Sequence, residues 1–188
     1  KVAGGYDVDK DAAQAFCETF GGRIYESAQA LLDDPSIDTV YICTRHDSHA
    51  ALGCAAIVAG KNVFLEKPAA ITASGARQLL EAHLARPVPF AVGYNMRMAP
   101  ATQRFCSLLK QYSVQVSAFK ASMTGPPFMD GWASDPIQGG GVLVCQGSHM
   151  FDLLCYVLGS KVAAVCVATQ HLELSAEREP NAATLLVR

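Results

Sequence analysis

The chain has 188 residues, of which 51% are hydrophobic and 17% charged, and its formal net charge is −2. This hydrophobic fraction excludes intrinsic disorder, and a chain of this length can bury roughly 70% of its unfolded surface. The slight negative charge and the lack of a dense Lys/Arg cluster exclude a basic nucleic-acid-binding surface. No apolar run approaches the ~20 residues of a membrane-spanning helix, so we expect no membrane association.

The seven cysteines are an odd number and include no Cys-x-x-Cys pair. This pattern is typical of free thiols in a reducing compartment, and it predicts a cytoplasmic protein without a disulfide framework. Cys43 and Cys166 fall in runs that predict buried strands, where cysteine packs as a small hydrophobe. His46, Asp47 and His49 could bind a metal, but no further ligand lies nearby in the sequence, so we expect no metal site.

The first 98 residues alternate between strand and helix patterns. Strands are predicted at 2–6, 23–25, 39–43, 62–65 and 88–93, and helices at 10–20, 28–32, 49–59 and 74–85. Strands separated by helices in this way are typical of βαβ units and a parallel sheet. The uninterrupted β-favouring run at 39–43 indicates burial on both faces. These residues therefore predict a doubly wound α/β domain over 1–98.

The pattern changes in residues 99–188. The predicted elements are a helix at 100–110, a half-exposed strand at 114–120, a Gly- and Pro-rich loop at 123–141, a helix at 142–158, and strands at 162–168 and 182–187. Grouped helices and alternating strands indicate an α+β domain with an open, mainly antiparallel sheet. Long loops of this composition commonly carry functional residues.

Three motifs place polar residues at the expected ligand-binding edge of such a fold. Glu66-Lys67-Pro68 directly follows a predicted strand, and ligands of open α/β sheets bind at the carboxyl ends of the strands. Lys67 is therefore well placed for proton transfer, although an ordinary solvated loop would also explain the motif. The second motif, 93–97, contributes Asn95 and Arg97 at another strand end, where a simple surface turn is the alternative.

The third motif runs from Gly139 to Asp152 and begins with three glycines. His149 and Asp152 are three residues apart and so share one face of a helix. A carboxylate beside an imidazole fixes its tautomer and supports acid–base chemistry. A buried histidine that serves only the core is the alternative.

Taken in order, these motifs resemble the Gfo/Idh/MocA family, which includes glucose–fructose oxidoreductase and inositol 2-dehydrogenase. The resemblance covers nearly the whole chain, and the residues that carry it are Asp7, 44–49, 59–68, 93–97 and 139–152. It implies a Rossmann domain that binds NAD and a second domain whose open sheet often mediates homo-oligomerisation. It also implies hydride transfer between nicotinamide and a hydroxyl carbon of a sugar, polyol or related small molecule.

The resemblance also implies residue roles. Lys67 would assist proton transfer at the reacting hydroxyl, and His149 would be the general acid/base. Asp7 would bind the adenosine ribose, which favours NAD over NADP. The other implied cofactor residues are Thr44, His46, Glu66, Lys67 and Asn95, and the implied substrate residues are Lys67, Arg97, Trp132, His149 and Asp152. Trp132 could stack on a sugar or pack at a domain interface, and both interpretations stay open.

Two departures from the family pattern bear on function. Many family members carry Asp four residues before the catalytic His, where this chain has Cys145, which supplies no carboxylate. The Gly-x-Gly-x-x-Gly phosphate loop and its strand are absent, so we expect a fragment, or a natural short form, cut at both ends. The alternative to an enzyme is a non-catalytic or cofactor-impaired binding or regulatory member of the same fold.

Overall fold

The computed structural model describes residues 1–114, 131–133, 135–141, 143–159, 162, 164–170 and 182–187. The strands are β1 (Gly4–Gly5), β2 (Arg23–Ile24), β3 (Thr39–Ile42), β4 (Asn62–Leu65), β5 (Phe90–Val92), β6 (Val165–Gln170) and β7 (Ala182–Val187). The helices are α1 (Lys10–Phe20), α2 (Ala28–Asp33), α3 (His46–Val58), α4 (Ala73–Ala85), α5 (Pro100–Gln111) and α6 (Ser148–Leu158). The predicted strand at 114–120 lies outside the described residues except for Val114, as does much of the 123–141 loop.

Local capping signals explain where the first helices begin and end. The Asp9 carboxylate accepts a hydrogen bond from the Asp11 N–H at 3.0 Å at the start of α1. Gly21 ends that helix with a φ of 80°, a conformation that favours glycine. Ser27 caps α2 in the same way as Asp9 caps α1. These caps are local in sequence, which is why the pattern predicted them.

The first compact unit comprises Lys1–Thr44, Ser48–Glu66 and Ala73–Ala91. It contains a parallel pair, β1 with β2, and most of a three-stranded sheet with the order β3-β4-β5. Strands β3 and β4 are parallel, with Thr39 opposite Asn62 and Ile42 opposite Leu65. The predicted parallel α/β architecture is therefore confirmed.

The apolar core of this unit lies on one face of β3 and β4. Ile57 of α3 and Leu65 of β4 are fully buried. Ile42 of β3, which lies opposite Leu65 in the sheet, is also buried. Tyr41, in contrast, is 70% exposed and stacks on Phe64 with ring centroids 5.1 Å apart. The prediction that β3 is buried on both faces is therefore wrong, because an aromatic pair occupies its second face in place of a covering layer.

The two strand cysteines are likewise not core residues. Cys43 and Cys166 are both exposed, so the prediction that they pack in buried strands is wrong. Cys43 follows the last residue of β3, where the chain leaves the sheet. Cys145, by contrast, is buried.

A buried polar cluster sits at the amino ends of β3 and β4. The Asp34 carboxylate accepts hydrogen bonds from the Tyr25 hydroxyl at 2.6 Å and the Ser36 hydroxyl at 2.7 Å, and it pairs with Arg23. The buried Lys61 ammonium donates to the carbonyl oxygens of Asp34 and Ile37 at 2.7 and 2.8 Å. Hydrogen bonds from Tyr25 and Ser36 hold the pKa of Asp34 well below its usual range.

The second compact unit comprises Arg45–Asp47, Lys67–Thr72 and Val92–Arg188. Strands β6 and β7 form an antiparallel pair, as predicted, with Val165 opposite Val187. The helix predicted from 142 begins instead as a π-helical turn at Leu143–Gly147, and α6 starts only at Ser148. Among the described residues, no helix is both long enough and apolar enough to cross a bilayer.

Leu65→Ala is expected to lower the free energy of unfolding by about 2–5 kcal/mol, because it leaves a cavity where a side chain is fully buried. Leu84→Ala, at a position 69% exposed, is the matched control and should change stability by less than about 0.5 kcal/mol. Urea denaturation measures both. Equal losses in the two variants would contradict the core assignment.

Asp34→Asn is expected to lower the melting temperature at pH 7 by several degrees. Because the folded pKa of Asp34 lies below the unfolded value of about 3.9, its charged form stabilises the fold above that pH. This contribution is lost as the pH falls through the folded pKa, so the difference between wild type and variant should narrow below about pH 4. Thermal denaturation followed by circular dichroism measures the melting temperature of each protein at each pH. Asp38→Asn, at an exposed position, is the control.

Candidate active site

Three predicted cofactor residues follow strands of the first unit. Asp7 is exposed two residues beyond β1, and its Oδ1 accepts a hydrogen bond from the Asp9 N–H at 2.9 Å. Thr44 lies two residues beyond β3, and Glu66 directly follows β4. Since β3 and β4 are parallel neighbours, Thr44 and Glu66 extend from the same edge of the sheet. This is the edge where open α/β sheets bind ligands.

Local hydrogen bonds fix the loop after β3. The Thr44 hydroxyl lies 2.6 Å from the Ser48 hydroxyl, and the fully buried His49 donates from Nε2 to the Thr44 carbonyl oxygen at 2.9 Å. Partial desolvation raises the pKa of the Cys43 thiol, and the negative charge of Glu66 raises it further. His49 therefore supports the backbone that presents Thr44.

Lys67 lies against the π-helical turn of the second unit. Its Nζ donates to the Cys145 carbonyl oxygen at 3.2 Å and lies 3.4 Å from the Cys145 sulfur. Lys67 is half-buried, whereas Cys145 is only 4% exposed. The structure therefore brings the predicted catalytic lysine to a residue four positions before the predicted catalytic histidine.

Tyr94 packs beside His149 and is a site residue that sequence reasoning missed. The two rings meet edge to face, with centroids 6.0 Å apart and an interplanar angle of 81°. The Tyr94 hydroxyl shares a hydrogen bond with Ser148. Burial raises the pKa of Tyr94, and the negative charge of Asp152 adds to the increase. Tyr94 belongs to the motif 93–97, but only the polar residues of that motif were selected as candidates.

The structure pairs Asp152 with Arg97. Arg97 Nε donates to Asp152 Oδ2 at 2.7 Å, and Nη2 donates to the second carboxylate oxygen, which makes the pair bidentate. The Asp152 side chain is 7% exposed, and the hydrogen bond raises the pKa of Arg97. The Arg97 guanidinium also lies over the Tyr156 ring at 5.3 Å. Asn95, in contrast, is exposed on the single 3-10 turn that carries Arg97.

His46 is buried beneath the loop that carries Trp132. Its Nδ1 donates to the Gly139 carbonyl oxygen at 2.8 Å, and its ring meets the Trp132 ring edge-on with centroids 4.8 Å apart. Arg45 donates to Gln138 Oε1 at 2.8 Å in the same place. Gln138 was not predicted, because a glutamine in a loop carries no sequence signal for this role.

Asp135 stabilises the turn that presents Gln138. Its Oδ1 accepts from the Ile137 N–H at 2.8 Å and its Oδ2 from Gln138 Nε2 at 2.9 Å. The first of these hydrogen bonds is the main reason why the pKa of Asp135 is lowered.

Within the part of the chain that the structure describes, no group of three or more His, Cys, Asp and Glu side chains is arranged to hold a metal ion. His46 and His49 each donate from one ring nitrogen to a backbone carbonyl.

His46→Ala is expected to shift the fluorescence emission of Trp132 to longer wavelength, because the imidazole that packs on the indole is removed. The chain contains one Trp, so the signal needs no deconvolution. His83→Ala is the matched control, since His83 packs on Phe90 in the first unit. An unchanged spectrum in His46→Ala would contradict this packing.

Comparison with known proteins places these residues in a family. Residues 1–94 match the family model described as "Oxidoreductase family, NAD-binding Rossmann fold", and residues 113–187 match the "GFO/IDH/MocA C-terminal domain". The chain is 32% identical over 155 residues to 1,5-anhydro-D-fructose reductase of Ensifer adhaerens, which covers 80% of this chain and 46% of the relative. It is 24% identical to myo-inositol 2-dehydrogenase of Thermotoga maritima, which covers 85% of this chain and 48% of that relative.

A solved structure extends the comparison to the fold. The chain matches GenD2 from gentamicin A biosynthesis, solved in complex with NAD, with a TM-score of 0.84 and 26% identity over 100% of this chain and 54% of that one. The chain thus spans about half the length, or less, of the curated relatives it matches. The two family models together match most of the chain, and the motifs at 66–68 and 139–152 lie within the matched residues. The chain therefore belongs to the Gfo/Idh/MocA oxidoreductase family.

Proposed function

We propose that this chain forms part of an NAD-dependent oxidoreductase that acts on a hydroxyl carbon of a neutral sugar or polyol. The observation that carries the proposal is the position of Lys67, whose ammonium lies on the Cys145 carbonyl four residues before His149. Lysine and histidine side chains can both transfer a proton at a hydroxyl group that lies within their reach. The names of the relatives, a reductase and a dehydrogenase, favour an enzyme over a non-catalytic binding protein.

The strand-end residues fit NAD by the chemistry of their donor and acceptor groups. Asp7 offers an exposed carboxylate that suits the two hydroxyls of a ribose and disfavours a 2′-phosphate, so NAD is preferred over NADP. Thr44 and Glu66 supply a hydroxyl and a carboxylate at the edge of parallel strands. When bound, NAD supplies the hydride acceptor. His46 and Asn95 are the remaining proposed cofactor residues.

Lys67 and His149 are the proposed proton-transfer groups. The Lys67 ammonium, which donates to the Cys145 carbonyl oxygen, can stabilise negative charge that develops on a substrate hydroxyl oxygen. His149 can accept or return the proton, since an imidazole titrates near neutral pH in general. The Tyr94 ring packs beside that imidazole.

The charges around α6 support a neutral substrate. Arg97 and Asp152 form a bidentate pair, so the positive charge of Arg97 is already balanced within the protein. Arg97 therefore offers no unbalanced positive charge to a substrate carboxylate, which agrees with a neutral polyhydroxylated substrate that meets Lys67 through a hydroxyl group. Stacking of Trp132 on the sugar stays a prediction, as does a homo-oligomer formed through the second domain.

Lys67→Met is expected to lower kcat for NAD-dependent oxidation of a polyol by about 10²–10⁴, because a proton-transfer group is lost. Cofactor absorbance measures turnover, and quenching of Trp132 emission by NADH measures binding. Lys110→Met is the control, since Lys110 is exposed at the end of α5 and should leave both unchanged.

The two measurements separate binding from chemistry. NADH binding that persists while turnover is lost in Lys67→Met supports the assignment. Measured in the full-length protein, no quenching by NADH at millimolar concentration together with no turnover of any polyol or sugar tested would overturn the proposed function.

A further inference from the structure

Tyr94 makes two contacts that converge on the candidate catalytic groups. Its ring packs edge-on against His149 with centroids 6.0 Å apart, and its hydroxyl hydrogen-bonds to Ser148, the residue before His149. Tyr94 is half-buried, so water does not replace either contact freely.

The direction of the hydrogen bonds follows from their acceptors. Ser148 Oγ lies 3.4 Å from the Cys145 carbonyl oxygen, which can only accept, so Ser148 donates its single proton there. The hydrogen bond with Ser148 lowers the pKa of Tyr94 and so opposes part of the rise that burial causes. Lys67 donates to the same Cys145 carbonyl at 3.2 Å. A continuous chain therefore joins Tyr94, Ser148 and Lys67 through one backbone oxygen.

An ion pair at equal spacing holds the two segments together. Arg97 lies three residues after Tyr94, and Asp152 lies three residues after His149. The bidentate Arg97–Asp152 pair therefore repeats, one turn further along, the contact between Tyr94 and His149. Gln103 adds a hydrogen bond from Nε2 to the Tyr156 hydroxyl at 2.9 Å. Because the two contacts have the same spacing in both segments, they fix the distance between residues 94–97 and residues 149–152. They also fix the rotation of each segment about its own axis.

We propose that Tyr94 is a positioning residue that orients the His149 imidazole. It supplies by packing the orientation that a carboxylate at position 145 would supply by hydrogen bonding, since Cys145 offers none. The proposal rests on the proposed function in one respect, which is that His149 takes part in proton transfer. The contact between the two rings is independent of that role.

The first test measures the His149 ring directly by NMR relaxation of its C–H bonds, with the signal assigned by its loss in His149→Gln. Wild type should show a rigid ring, with an order parameter of roughly 0.85, and Tyr94→Leu should lower it to below about 0.6. Tyr94→Phe keeps the ring edge and should stay close to wild type. Tyr112→Leu is the control, because Tyr112 is 67% exposed at the end of α5.

The second test measures turnover in the same variants. Tyr94→Leu should lower kcat about tenfold or more, with KM for NAD changed by less than about twofold, and Tyr94→Phe should restore most of the rate. A protein without turnover whose His149 ring loosens in Tyr94→Leu would overturn the proposed function and leave the positioning role supported. A His149 ring that stays as rigid in Tyr94→Leu as in Tyr112→Leu would overturn the positioning role itself.

Discussion

The hydrogen bond from Lys67 Nζ to the Cys145 carbonyl is the interaction on which the candidate site depends. A carbonyl inside an α-helix normally points along the helix axis to an N–H four residues on, and a π-helical turn changes this pairing. Cys145 lies in such a turn, between Leu143 and Gly147, and its oxygen faces Lys67 at 3.2 Å. Two side chains, those of Lys67 and Ser148, reach this backbone oxygen of the irregular turn.

The uncharged nature of that acceptor matters for chemistry. The carbonyl and the thiol of Cys145 hold the Lys67 ammonium, and neither carries the negative charge that a carboxylate at position 145 would. Electrostatic interactions are stronger in half-buried surroundings than in water. The Cys145 departure therefore changes the charge balance of the site and leaves its lysine in place.

Much of the fold was predictable because its signals are local. The cap at Asp9, the glycine that ends α1 and the parallel β3–β4 pair all follow from neighbouring residues. The pairing of Arg97 with Asp152 joins residues 55 positions apart, and helical spacing alone suggested His149 as the neighbour of Asp152. The π-helical turn was missed for a related reason, since helical periodicity does not distinguish it from an α-helix. The motifs located the site, but the partner of each side chain depended on contacts distant in sequence.

Burial and perturbed pKa values alone would have selected the wrong site. Asp34 has a strongly lowered pKa and Lys61 is buried, yet both lie before strands, at the amino ends of β3 and β4. Ligands of parallel sheets bind at the carboxyl ends, so the protein groups that hold Asp34 and Lys61 indicate a role in stability. Strand β4 thus separates two lysines of one motif. Lys61 precedes it and binds backbone carbonyls of the core, whereas Lys67 follows it at the end where the fold can place a substrate.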